Sequence, residues 1–132
     1  MEAVRLFSII SWISLPTVMF GGYSLLRFMA RGKGLTPYQE TYFRAGHAHA
    51  GVLLLLSLLF YSYLGQTTFD GGFKWVVCII IMIGVLAQSG GFFLHMIIGQ
   101  PGKPSLGNLV TTIGAVLLAL ACLGLAYGLI VA

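Results

Sequence analysis

Charge is what this chain of 132 residues has least of. Asp and Glu together number 3, Lys and Arg 7, and charged residues make up 8% of the total. A soluble domain of this length needs much more charge to cover its surface. The three acidic residues, Glu2, Glu40 and Asp70, all lie outside the apolar runs, so no carboxylate is available to orient a catalytic base. There are two cysteines, Cys78 and Cys122, with no C-x-x-C between them, which argues against a redox motif or zinc ribbon. They read as buried, small apolar side chains. The absence of C-x-x-C-H excludes covalent c-type haem attachment. The net charge of +4 does not point to nucleic acid, because the positive residues cluster at the ends of apolar runs, where membrane topology explains them.

What the chain does have is hydrophobic length. It is 58% hydrophobic with a mean hydropathy of +0.97. Four apolar runs exceed the roughly 18 residues that mark a spanning helix. They predict spans over about 6–29, 42–64, 74–98 and 106–131. The first is too long for a signal-peptide core and lacks an A-x-A exit, so it reads as a retained helix. Pro16 predicts a kink within it, and Gly21 and Gly22 allow close helix contact. Gly32, Gly34 and Pro37 mark the first connection, GQTTFDGG the second and GQPGKPS the third. The fold class expected is an all-α membrane protein: one domain, an antiparallel four-helix transmembrane bundle in contact with the lipid bilayer.

The first connection and its flanks carry Arg27, Arg31, Lys33 and Arg44 against Glu40, and the third carries Lys103. The opposite end holds Arg5 and Lys74, offset by Glu2 and Asp70. The positive-inside rule then places both termini outside and the two basic connections in the cytoplasm. The expected setting is a bacterial plasma membrane.

The three histidines carry the functional question. His47 and His49 enter with the second span, and His95 leaves with the third, so all three are expected in one shallow layer on the cytoplasmic side. Residues two apart on a helix point about 200° apart, so His47 and His49 cannot both face one point. His47 shares a stripe with Gly51 and Leu54, His49 one with Ala45, Val52 and Leu56. Gly84, Gln88, Gly91 and His95 form a small, polar stripe that suits a bundle interior. Two imidazoles at equal depth on neighbouring helices can hold haem iron from both sides. Gly51 and Gly91 leave room for a ring, Phe92 and Phe93 offer aromatic walls, and Arg44 and Arg27 suit anionic propionates. The expected set is therefore haem b on His47 and His95, with His49 as the alternative ligand or as a hydrogen-bonding partner for a quinone head group.

The segment R-A-G-H-A-H-A-G, Arg44 to Gly51, resembles the R-x-x-H segment of the low-spin haem helix in catalytic subunits of haem–copper oxidases and nitric oxide reductases. The resemblance covers about one span and implies His47 as the haem ligand on the second helix. Those subunits have many more spans and further histidines for a binuclear centre. Three histidines cannot supply both, so reduction of oxygen or nitric oxide by this chain alone is not expected.

These observations lead to a haem b-binding, cytochrome b-like membrane protein for electron transfer or for haem-based sensing or handling. Two other functions fit the same residues. One is a non-enzymatic accessory subunit of a larger membrane complex, or a homo-oligomer, whose histidines only bridge helices. The other is a small metal-ion or proton carrier with the histidines as relay.

Overall fold

The computed structural model describes residues 1–32 and 34–132. It contains α1 (Ala3–Ala30), α2 (Pro37–Leu64), α3 (Gly71–Ile98) and α4 (Leu106–Ile130), with no strand among the described residues. All four helices are long and apolar enough to cross a membrane, and they pack as an antiparallel bundle. Lys33, counted above with the basic connection, lies outside the described residues.

Three helix starts have a local cause. Thr36 caps α2: its hydroxyl accepts from the Gln39 amide, the Gln39 side chain returns to the Thr36 amide, and Pro37 pre-sets the first turn. Ser105 and Asn108 form the same reciprocal box at α4. Asp70 caps α3 by accepting from the Phe73 amide at 3.0 Å. These caps start α2 five residues and α3 three residues before the expected positions. α1 continues through Pro16, and Ser14 and Thr17 donate their hydroxyls to the nearby carbonyls of Ile10 and Ser14.

α3 is the central helix. Its seam with α4 is the tightest, because glycines let the two backbones approach: a Cβ added at Gly91 would lie 2.7 Å from the Gly107 carbonyl oxygen, and one at Gly84 would lie 2.8 Å from Leu118. α1 leans chiefly on α2 and touches α3 less. The buried apolar cluster, including Phe7, Leu53, Phe60, Tyr61, Leu64, Cys78 and Ile81, occupies the half of the bundle near the chain termini. Hereafter this is the terminal end. The basic end carries the α1–α2 and α3–α4 connections. Cys78 is buried as expected, whereas Cys122 is exposed on α4.

Candidate functional site

The early start of α2 changes the depth of its histidines. His47 and His49 stand roughly 15 and 18 Å along α2 from Pro37, near the middle of the helix. His95 is in the last turn of α3, about 5 Å from its end. The single shallow layer expected from sequence is therefore two levels. His95 is level with Tyr42, at a ring-centroid distance of 4.3 Å, and His49 is level with Phe92, at 4.6 Å.

The three rings also face different neighbours. His47 points at α1 and lies on its glycine pair: a Cβ added at Gly22 would be 2.8 Å from His47 Nε2, and one at Gly21 would be 3.5 Å from Nδ1. Its only close aromatic partner is Phe43, stacked at 6.3 Å, and neither ring nitrogen bonds to a described residue. His95 is 3% exposed, with its Nδ1 2.6 Å from the Ser105 hydroxyl and its ring against Tyr42 and Tyr38. Tyr38 donates to the His95 carbonyl at 3.3 Å, so this residue joins the starts of α2 and α4 to the end of α3. His49 Nδ1 donates to the Ala45 carbonyl at 2.8 Å. Its stripe with Tyr42 and Leu56 turns it toward α3 and the gap between α2 and α4.

A haem held by His47 and His95 does not fit this arrangement. His47 turns to α1 and His95 to the α3–α4 connection, and the α2–α3 seam between them is filled by Phe93, whose ring lies 2.9 Å from where a Gly46 Cβ would be. Gly91 abuts Thr111 and Gly107 of α4, and Gly51 meets Val18 of α1, so neither leaves space for a porphyrin. Arg44 pairs with Glu40 on its own helix and reaches Met29 Sδ at 3.9 Å. Arg27 lies in an exposed groove of α1 with Phe20, Tyr23 and Arg31. The three histidines form no metal-binding cluster with other His, Cys, Asp or Glu among the described residues.

The fold instead creates a feature that single-helix stripes do not show. α1 is close to α3 where Phe7 meets Trp75, at 5.8 Å, and a cavity opens between α1, α2 and α3 toward the bundle middle. Its volume is about 340 Å³, and it opens sideways between α1 and α3, where Thr17 and Leu86 are exposed. Six hydroxyls line it, from Ser11, Ser14, Thr17, Ser57, Tyr61 and Ser89, among apolar walls that include Val18, Ala50 and Leu86. Ser11 and Ser57 meet across the helices at 3.1 Å, and the Tyr61 hydroxyl lies beside both. Ser89 and Ser57 donate to the carbonyls of Val85 and Leu54 in their own helices, so toward any other partner these hydroxyls accept. Val18 and Ala50 line its inner end, and Gly22 and His47 follow one helical turn beyond each of them. His47 thus lies one helical turn beyond the hydroxyl-lined cavity, on its basic side, and is not itself part of the lining.

The sequence signal for this cavity was the serine and threonine content of the first span, Ser11, Ser14 and Thr17, at three-residue spacing. Comparison of the chain with protein-family models, with curated proteins and with solved structures finds no significant match.

Proposed function

We propose that the chain carries protons along the α1–α2–α3 cleft, with His47 as the relay and the hydroxyl-lined cavity as the water-holding segment. The observation that supports this reading is an imidazole with no hydrogen-bond partner among the described residues, placed deep in a spanning helix one turn beyond a polar cavity. An ionisable side chain at that depth costs several kcal/mol unless water or a polar partner reaches it. A cavity of this size with several hydroxyls meets the requirement for ordered water, which needs two to four polar partners. A chain of water and hydroxyl groups then moves a proton by exchange of hydrogen bonds, and His47 takes it up on its free ring nitrogen.

Both ends of the path are closed by aromatic or apolar side chains. On the terminal side Phe7 lies between Trp75 and Tyr61, at 5.8 and 6.1 Å. On the basic side Phe43 stacks by His47 and Leu25 is buried on α1. Beyond the Phe7 contact an open depression lined by Glu2, Arg5 and Lys74 leads to the aqueous phase. In this reading, transport depends on movement of these plugs. The positive-inside assignment puts the depression outside and Phe43 on the cytoplasmic side.

The test is proton flux into liposomes containing the purified protein and a trapped pH-sensitive dye. Flux above that of empty vesicles, abolished by His47→Ala and retained in His95→Ala, is the expected result. Equal flux in the two variants defeats the proposal. A second reading keeps haem b, with His49 in place of His47. It is favoured by one observation: His49 and His95 each hold Nδ1 in a hydrogen bond, the arrangement that presents Nε2 to iron. It requires the Tyr42 ring to leave His95 and the two imidazoles, which stand at different levels, to come to one depth. A Soret band on haem addition that is lost in His49→Ala supports this second reading, and its absence removes it.

A further inference from the structure

His49 has a free acceptor in a place where free acceptors are costly. A carbonyl only accepts, so the bond to Ala45 fixes the hydrogen on Nδ1 and leaves Nε2 as a lone pair in the neutral ring. No described residue donates to that nitrogen, and it is not sealed inside the protein, since no buried side-chain nitrogen or oxygen lacks a partner. Gln88 is in the same position. Its backbone carbonyl takes the Thr111 hydroxyl at 3.4 Å, but its side-chain amide bonds to no described residue. Gln88 lies two turns from His95 on one stripe of α3, and the contacts of His95 with Tyr42 and Ser105 place that stripe between α2 and α4. Phe92 lies one turn from Gln88 and carries the His49 ring on its face.

These three side chains face the gap between α2 and α4, hereafter the trough. Nearer the terminal end, between the same two helices, an apolar groove is lined by Leu56, Leu59 and Tyr63 of α2 and Cys122, Leu125 and Leu129 of α4. Leu56 is two turns past His49 on the same stripe, so the groove and the imidazole lie on one side of α2. An acceptor, an amide and an aromatic face lie at one end, and an apolar channel open to lipid leads away. In hydrocarbon an unmet polar group costs about as much as a lost hydrogen bond or more.

We propose that this trough binds the ring of a lipid-soluble hydroquinone, with its isoprenoid tail along the α2–α4 groove. One ring hydroxyl donates to His49 Nε2, the other meets the Gln88 amide, and Phe92 contacts the ring face. The complementarity is specific: His49 needs a donor, Gln88 takes either partner, and the groove takes an unbranched or isoprenoid chain. The site faces away from α1, so it is separate from the proton path, and neither proposal depends on the other.

The experiment uses the full chain in lipid nanodiscs with its histidines labelled with ¹⁵N. A short-chain isoprenyl hydroquinone, kept reduced, is titrated in. The expected result is a saturable shift of the His49 Nε2 signal with His47 and His95 unmoved. The di-O-methyl ether of the same compound, which cannot donate, leaves the signal in place. Gln88→Leu raises the half-saturation concentration about threefold to tenfold, the loss expected for one hydrogen bond. The proposal is overturned if His49 stays silent, if the ether acts like the hydroquinone, or if the shift appears on concentrating the protein alone, which would show a second copy covering the groove. The ether comparison needs no variant, so it decides the matter even if Gln88→Leu does not fold.

Discussion

Gly90 and Gly91 provide a controlled test of the α3–α4 seam, because they are adjacent and their surroundings differ. A Cβ at Gly90 meets nothing within 4 Å. A Cβ at Gly91 would lie 2.6 Å from the Thr111 backbone nitrogen and 2.7 Å from the Gly107 carbonyl oxygen. Those atoms belong to the facing helix backbone and cannot rotate aside. To restore ordinary contact the seam must open by roughly 0.8 Å, enough to forfeit a quarter to a half of each dispersion well along it. Each substitution to Ala also gains about 1 kcal/mol of helix propensity, and this gain cancels when the two variants are compared. What remains is the overpacking term, so Gly91→Ala should be less stable than Gly90→Ala by about 1–3 kcal/mol. Reversible unfolding in mixed detergent micelles, followed by far-ultraviolet circular dichroism, measures the difference. Equal stability, or a more stable Gly91→Ala, would refute the close backbone approach on which the α3–α4 pairing rests.

Four further outcomes can be measured. Phe7→Ala removes the ring between Trp75 and Tyr61 and should raise proton flux in liposomes, and unchanged flux would show that this contact is not a plug. Gly22→Ala brings a methyl to within 2.8 Å of His47 Nε2 and should reduce flux by displacing the ring, whereas Gly90→Ala should not. A double-mutant cycle on Ser11→Ala and Ser57→Ala should give a coupling of about 0.6 kcal/mol, the usual worth of an interhelical hydrogen bond in a membrane bundle, and zero coupling would contradict their 3.1 Å contact. Ser105→Ala removes both the α4 cap and the partner of His95 Nδ1, and it should destabilise the protein by about 1–2 kcal/mol, read by the same unfolding assay.

How far the sequence could be read depended on the range of the interaction. The apolar runs gave helices whose ends agree with the expected spans except at α1, α2 and α3, which start earlier. At α2 the reason is the Thr36–Gln39 box, which makes a helical turn out of residues that read as polar linker. That small error had a large effect on depth. It moved His47 and His49 toward the middle of their helix, while His95 stayed near an end. The same-helix geometry was sound: His47 and His49 do point in opposing directions, one to α1 and the other to α3. What a stripe could not tell was which helix it would meet. Gly91 is small enough to suggest room for a ligand, but it is the contact point for Gly107 and Thr111. Arg44 has the charge and position expected of a partner for an anionic ligand, but it is paired with Glu40 one turn away.

Composition alone determined that this chain forms four helices long and apolar enough to cross a membrane, because 58% hydrophobic residues in long uninterrupted runs leave few alternatives. The backbone must satisfy its hydrogen bonds internally in lipid, so each run becomes a helix whatever its neighbours. Only the tertiary structure decided which side chains share a space. The polar cavity exists because α1 leans on α2 more than on α3, and the apolar groove at Leu56 exists because α4 packs chiefly on α3 and leaves a gap beside α2. Those choices are set by where glycines allow two backbones to touch, and that depends on pairs of residues far apart in the chain.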